Sequence, residues 1–138
     1  MKLKIITPED VEFRSSNDPT LRVNISSGII SFSAGLNKII GIKTEDSMTF
    51  VFDEDSQKYY IAKSEGGVQG FIVKSSLKGN TETQYESLQL RATGLIKLIN
   101  KHLNLKLDAN TKGKNSHMFK IDQYNPVKHF GMTLYKLI

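Results

Sequence analysis

Six cations crowd one part of this sequence. Arg91, Lys97, Lys101, Lys106, Lys112 and Lys114 lie in a stretch from Arg91 to Lys120 that holds seven basic residues against one acid, Asp108. A positive field this concentrated attracts phosphate-rich partners. Lys97 and Lys101 are four residues apart and share one face of a helix, where two like charges cost a little stability that a bound anion would relieve. The only arginines are Arg14, Arg22 and Arg91. Bidentate reading of base edges favours arginine, so a lysine-rich set points to contact with the phosphate backbone rather than to sequence readout. Tyr59 lies out of register with the apolar face of its strand and beside Lys58, a place where an exposed ring could stack on a base. These seven residues form the candidate nucleic-acid site, with single- and double-stranded DNA both open as partners. His117 sits in the same basic segment and could assist an anion.

Other chemistries find little support. The chain has no cysteine, which excludes a thiolate metal site and a cysteine nucleophile. It carries no G-x-S-x-G, no H-E-x-x-H and no P-loop. None of His102, His117 and His129 has another His, Asp or Glu at ligand spacing along the chain. Asp53, Glu54 and Asp55 read as the solvated tip of a hairpin rather than a cation loop, because they lack the spaced oxygen ligands and the glycine of a calcium site. The expectation is a non-enzymatic protein with no metal and no cofactor. An enzyme of unrecognised type would rest only on scattered His, Asp and Ser residues.

The elements that position these residues follow from apolar periodicity. Alternation marks strands near residues 1–6, at Leu21–Ile25, Ile30–Phe32, Met48–Phe52, Lys58–Lys63, Phe71–Val73, Tyr85–Arg91, Met118–Ile121 and Phe130–Ile138. Ser33 and Gly41 bracket a short helix from Ala34 to Ile40. Thr93 caps a longer helix over Gly94–Asn104, whose apolar residues are Leu95, Ile96, Leu98, Ile99 and Leu103. Asn125-Pro126 turns the chain, and residues 108–116 form a flexible polar loop. The fold class is α+β: a largely antiparallel sheet of about eight or nine strands with one short and one longer helix. Two stretches, 21–74 and 84–138, share the order β-α-β-β and read as divergent units of one domain spanning 1–138.

The formal net charge of +5 is uneven. Residues 1–66 carry 8 basic and 10 acidic residues, whereas residues 67–138 carry 11 and 4. No run is long and apolar enough for a signal peptide core or a bilayer span, so a cytoplasmic protein with no membrane partner is expected.

Residues 29–62, with Ile39-Ile40-Gly41-Ile42 at a helix end, Glu45-Asp46 at a turn and Met48–Phe52 on a strand, resemble the swapped-hairpin half of AbrB-like DNA-binding domains. The resemblance departs where that family often has a proline after the first strand, since Ser33 stands here. It implies DNA binding, with one chain of two units mimicking a dimer. The order of elements is also similar to Whirly-type single-stranded DNA-binding sheets. The alternative function is a structural or protein-interaction component, such as an accessory protein of a phage or mobile element, that acts through self-association as a homo-oligomer.

Overall fold

A computed structural model of the protein describes residues 2–5, 18–65, 67–78 and 85–138. Among them the strands are β1 (Thr20–Asn24), β2 (Ile29–Phe32), β3 (Ser47–Asp53), β4 (Lys58–Lys63), β5 (Phe71–Ile72), β6 (Lys74–Lys78), β7 (Tyr85–Arg91), β8 (Ser116–His129) and β9 (Met132–Leu137). The helices are α1 (Ala34–Ile40) and α2 (Thr93–Leu103). All strand pairs are antiparallel, in the order β5-β3-β4-β9-β8-β1-β2-β7-β6. This is the α+β architecture that the periodicity implies.

The two edges of that order are consecutive in the chain. β5 and β6 are separated only by Val73, whose N–H donates to Asp46 O at 2.8 Å and whose carbonyl accepts from Glu45 N–H at 2.7 Å. One segment thus pairs with β3 through its first half and with β7 through its second. The sheet thereby curls into a nearly closed barrel, bridged at Val73, with little edge left unpaired among the described residues. One departure from expectation lies at the start of the chain: residues 2–5 form no strand, and Leu3 and Ile5 are exposed, joining neither the sheet nor the core.

The order has an internal two-fold pattern. Treating β5 and β6 as one segment, exchanging β1 with β6, β2 with β7, β3 with β8, β4 with β9 and α1 with α2 leaves every neighbour relation intact. Ile30 and Leu90 face each other at the centre, where β2 pairs with β7. Period-two alternation sends Leu21, Val23, Ile30, Phe32, Leu88 and Leu90 inward to one shared core. Leu36 of α1 and Ile96 and Ile99 of α2 pack against it. A smaller apolar cluster of Ala62, Met132 and Leu134 forms separately, flanked by Val51 and Tyr60.

Capping follows the sequence at α1. Ser33 Oγ accepts from Leu36 N–H at 3.1 Å, and Gly41 closes the helix in the left-handed region at φ 75°. At α2 the cap differs. Ala92 holds the cap position without a side-chain bond, and Thr93 is the first helical residue. Thr93 instead packs against Gly28, which turns β1 into β2 at φ 71°. A β-carbon at Gly28 would overlap Thr93 Oγ1. Gly28→Ala is therefore expected to lose about 2 kcal/mol or more, from the left-handed backbone and the overlap together. Chemical denaturation should show Thr93→Ala restoring part of that loss in the double variant.

The C-terminal hairpin also differs from expectation. Asn125-Pro126 does not end a strand; β8 runs through them to His129. Asp122 accepts from Tyr124 N–H at 3.1 Å and from Asn125 Nδ2, folding a bulge between Asp122 and Val127. The chain reverses at Phe130-Gly131, with φ of 56° and 76°, in a two-residue hairpin turn.

Candidate nucleic-acid interface

Paired strands place side chains of equal parity on one face, so register alone builds the outer surface of the β8-β1-β2-β7-β6 half of the barrel. Leu21, Val23, Ile30 and Leu90 point inward, and their sequence neighbours point out. One row across the five strands is Met118, Arg22, Ser31, Gln89 and Lys74. The next is Ser116, Asn24, Ile29 and Arg91. Lys120 lies opposite Thr20 in a third. These rows contain four cations and no carboxylate. Arg22, Arg91, Lys74, Met118 and Lys120 are exposed. Arg22 donates to Ser116 Oγ at 3.3 Å, and Arg91 donates to the Ser27 carbonyl at 3.1 Å. Lys74 shares its ammonium with Glu45 from outside the rows, at 2.8 Å. That pair is open to water, so the attraction is weak.

The segment after α2 is ordered by its own side chains rather than left as a flexible loop. Asn100 accepts from Leu107 N–H at 2.9 Å and donates back to Leu107 O at 3.3 Å. Asp108 accepts from the Thr111 hydroxyl at 2.7 Å and from Asn110 N–H at 2.9 Å. Those two bonds, with the charge of Lys114 nearby, hold the Asp108 carboxyl below the usual aspartate value. Asp108 N–H donates to Lys114 O at 2.7 Å and closes the loop. Ser26 Oγ then donates to Ala109 O at 2.9 Å, and Ile25 N–H to Asn115 O at 2.8 Å. The β1–β2 turn thus joins this loop to the strand face, since Ser27 of the same turn holds Arg91.

The structure brings some of the sequence candidates together and separates others. Lys106 and Lys114 line one open groove of about 200 Å³ with Ser116 and His117. Ser116 is also the partner of Arg22, so the groove borders the cationic face. Lys112 is exposed in the Asp108 loop, and Lys97 and Lys101 are exposed on α2; none of these three lines the groove. Arg91 lies on the face itself. Tyr59 is a correction: its ring is buried, at 3% exposure, and cannot serve as an exposed stacking platform. The cause is register, because Tyr59 shares the inward parity of Ile61 on β4. Burial also raises the ionisation of its phenol above the ordinary value. Its hydroxyl bonds His102 Nδ1 at 2.6 Å, and the His102 ring stacks on Phe52 at 4.2 Å.

No family model, curated protein or solved structure matches this chain. The reading of the site therefore rests on its own geometry. Among the described residues no group of three His, Asp or Glu is placed to hold a metal ion, and no helix is long and apolar enough to cross a membrane.

Sequence reasoning missed Arg22, Lys74 and Lys120 as members of the surface. The signal was present only as alternation: Arg22 and Lys120 each occupy the polar parity of a strand, and nothing local shows that the two strands are neighbours.

Proposed function

We propose that this protein binds nucleic acid without catalysing a reaction on it, chiefly through phosphate contacts. The observation that carries the reading is the five-stranded outer face whose rows hold Arg22, Lys74, Arg91 and Lys120 with no carboxylate among them. Ser31, Gln89, Asn24 and Ser116 between the cations supply hydroxyl and amide donors suited to phosphate oxygens. Lys106 and Lys114 extend the positive path at the β8 end, and Lys97, Lys101 and Lys112 add to the long-range field. Fluorescence anisotropy with single- and double-stranded oligonucleotides tests it. Affinity should fall steeply with salt, the log–log slope being roughly 0.7 per contacted phosphate for single strands and 0.9 for duplex. Absence of binding at low salt would reject the reading.

A second reading is self-association, favoured by the β8–β9 hairpin. Phe130 is 73% exposed and sits at φ 56°, a conformation that a bulky residue enters only at a cost. It borders a groove of about 350 Å³ with Val51, Tyr60, Val127 and Leu134. A protruding ring beside a largely apolar groove, whose lining also includes Asp53 and His129, suits a two-fold contact between copies, each ring entering the other's groove. Phe130→Asn should relieve the backbone strain and leave the monomer at least as stable. Sedimentation velocity should show any dimer lost in the variant, and a wild-type chain that stays monomeric at high concentration would exclude this reading.

A further inference from the structure

We infer that the barrel mouth beside the C-terminal end of α2 is a nucleotide pocket, with the base in the mouth and the phosphate in the adjoining groove. The inference rests on the nucleic-acid reading for its choice of ligand class. It goes further by naming a separate site and the moiety that fills it, a nucleoside monophosphate, from a strand end or free in solution.

The mouth is a cavity of about 420 Å³, whose walls include Tyr59, His102, Leu103, Leu105, His117 and Phe119. Pockets that hold small organic ligands run from about 300 to 1,000 Å³ and combine apolar walls with a few fixed polar groups. This cavity has that character. His102 is stacked on Phe52 with the two rings 6° from parallel, and its Nδ1 is engaged by Tyr59 at 2.6 Å. Nε2 is the ring nitrogen left for a ligand. His117 meets the ring of Phe119 edge-on at 4.6 Å on the same strand face. Two imidazoles, with Gln57 and Lys58, in an otherwise aromatic and leucine-lined space suit a flat heterocycle whose edge carries both donors and acceptors.

The groove with Lys106 and Lys114 is not a separate feature. Leu105 and His117 line both spaces, so cation and cavity adjoin. The two lysines stand on backbone that is held in place. Lys106 lies at φ 59°, an unfavourable left-handed conformation, and the paired bonds between Asn100 and Leu107 fix its neighbour. Lys114 is anchored by its backbone bonds to Asp108 and Thr111. Asp108 stays ionised beside Lys114 and partly offsets its charge, so Lys106 is the less compensated of the two cations. A phosphate would use the groove lysines or Lys58, which also lines the cavity, and a nucleoside the aromatic and leucine walls. Only a nucleotide uses both.

The test follows the ring resonances of His102 and His117 by NMR while titrating adenosine 5′-monophosphate, cytidine 5′-monophosphate, adenosine and inorganic phosphate. Matched oligonucleotides with and without a 5′-phosphate follow. The expected result is saturable binding of a mononucleotide that shifts both histidines, about tenfold or more tighter than inorganic phosphate or adenosine alone. Lys106→Glu with Lys114→Glu should weaken it at least about tenfold. Leu105→Trp, which fills the shared wall, should do the same while thermal melting shows the fold intact. Preference for the 5′-phosphorylated strand would assign the pocket to strand ends; equal oligonucleotide affinities with tight mononucleotide binding would assign it to free nucleotide. Phosphate binding as tightly as the mononucleotide, or histidines that respond to no probe, would overturn the inference. If the histidines stay silent while oligonucleotides bind the strand face, the pocket fails and the nucleic-acid reading stands. If mononucleotides saturate the pocket and no oligonucleotide binds, the nucleic-acid reading fails and the pocket stands.

Discussion

Reversing Arg22, Arg91 and Lys120 to glutamate should weaken oligonucleotide binding by a factor of about a hundred or more without unfolding the protein. The three side chains come from β1, β7 and β8, yet register places them on one outer surface. Three reversals shift the formal net charge by six units, from +5 to −1. They also put carboxylates where phosphate would lie, so repulsion replaces attraction instead of merely vanishing. Stability should hardly change. Arg22 and Arg91 are exposed; Arg22 gives up surface contacts to Ser116 Oγ and the weakly accepting Met118 Sδ, and Arg91 one to the Ser27 carbonyl. Such bonds contribute roughly 0.5–1.5 kcal/mol, and less where water can replace the partner. The salt dependence discriminates further: the log–log slope should fall by about 0.7–0.9 for each phosphate contact removed. Wild-type affinity in the triple variant would clear the strand face. Lys97→Glu with Lys101→Glu on α2 would then be the decisive pair.

Much of the architecture was legible because it is local. The strand pairs β3–β4 and β1–β2 announce themselves by alternation around polar turns, and the Ser33 and Gly41 ends of α1 by residue type. What joins the strands was not legible. Closure depends on one segment changing partners at Val73, from β3 to β7, and both pairings are long-range. The same holds for β8, which pairs with β1 through Ser116–Lys120 and with β9 from Ile121 onward. A run of alternating residues shows which side is polar and says nothing about which polar sides become neighbours. Arg22, Lys120 and Arg91 therefore escaped assembly into one surface, although Arg91 stood out for its place in a basic run. Tyr59 failed for a related reason. Adjacent aromatic residues occupy both faces of β4: Tyr60 faces the small outer cluster of Ala62 and Leu134, while Tyr59 faces the core. A strand with apolar residues on both faces has no parity that composition can settle. The lysines of the 105–115 segment were visible as charge. Their fixed placement depends on Asn100 and Asp108, polar residues whose partners lie a few positions away.

The largest loss of stability is expected at the centre of the two-fold pattern. Ile30 and Leu90 face each other between β2 and β7 and are 0% and 1% exposed. Truncating a buried leucine to alanine costs about 2–5 kcal/mol, more where the surroundings cannot collapse into the space. Here they cannot collapse easily. β2 and β7 are already at hydrogen-bonding distance, and β1 and β6 hold their other sides, so the backbone has little freedom to move into the space. Leu90→Ala should fall in the upper half of that range, a large part of the 5–15 kcal/mol typical of a domain. Ile30→Ala should be comparable. The double variant should lose less than the sum, because each truncation already forfeits the contact the two side chains share. Leu98→Ala, at a position 49% exposed on α2, should cost well under half as much. Urea denaturation followed by circular dichroism measures all four, and an unchanged slope with a lowered midpoint would show that only native packing was altered. A small loss at Leu90 together with a large one at Leu98 would mean that α2, rather than the β2–β7 seam, holds the two halves together.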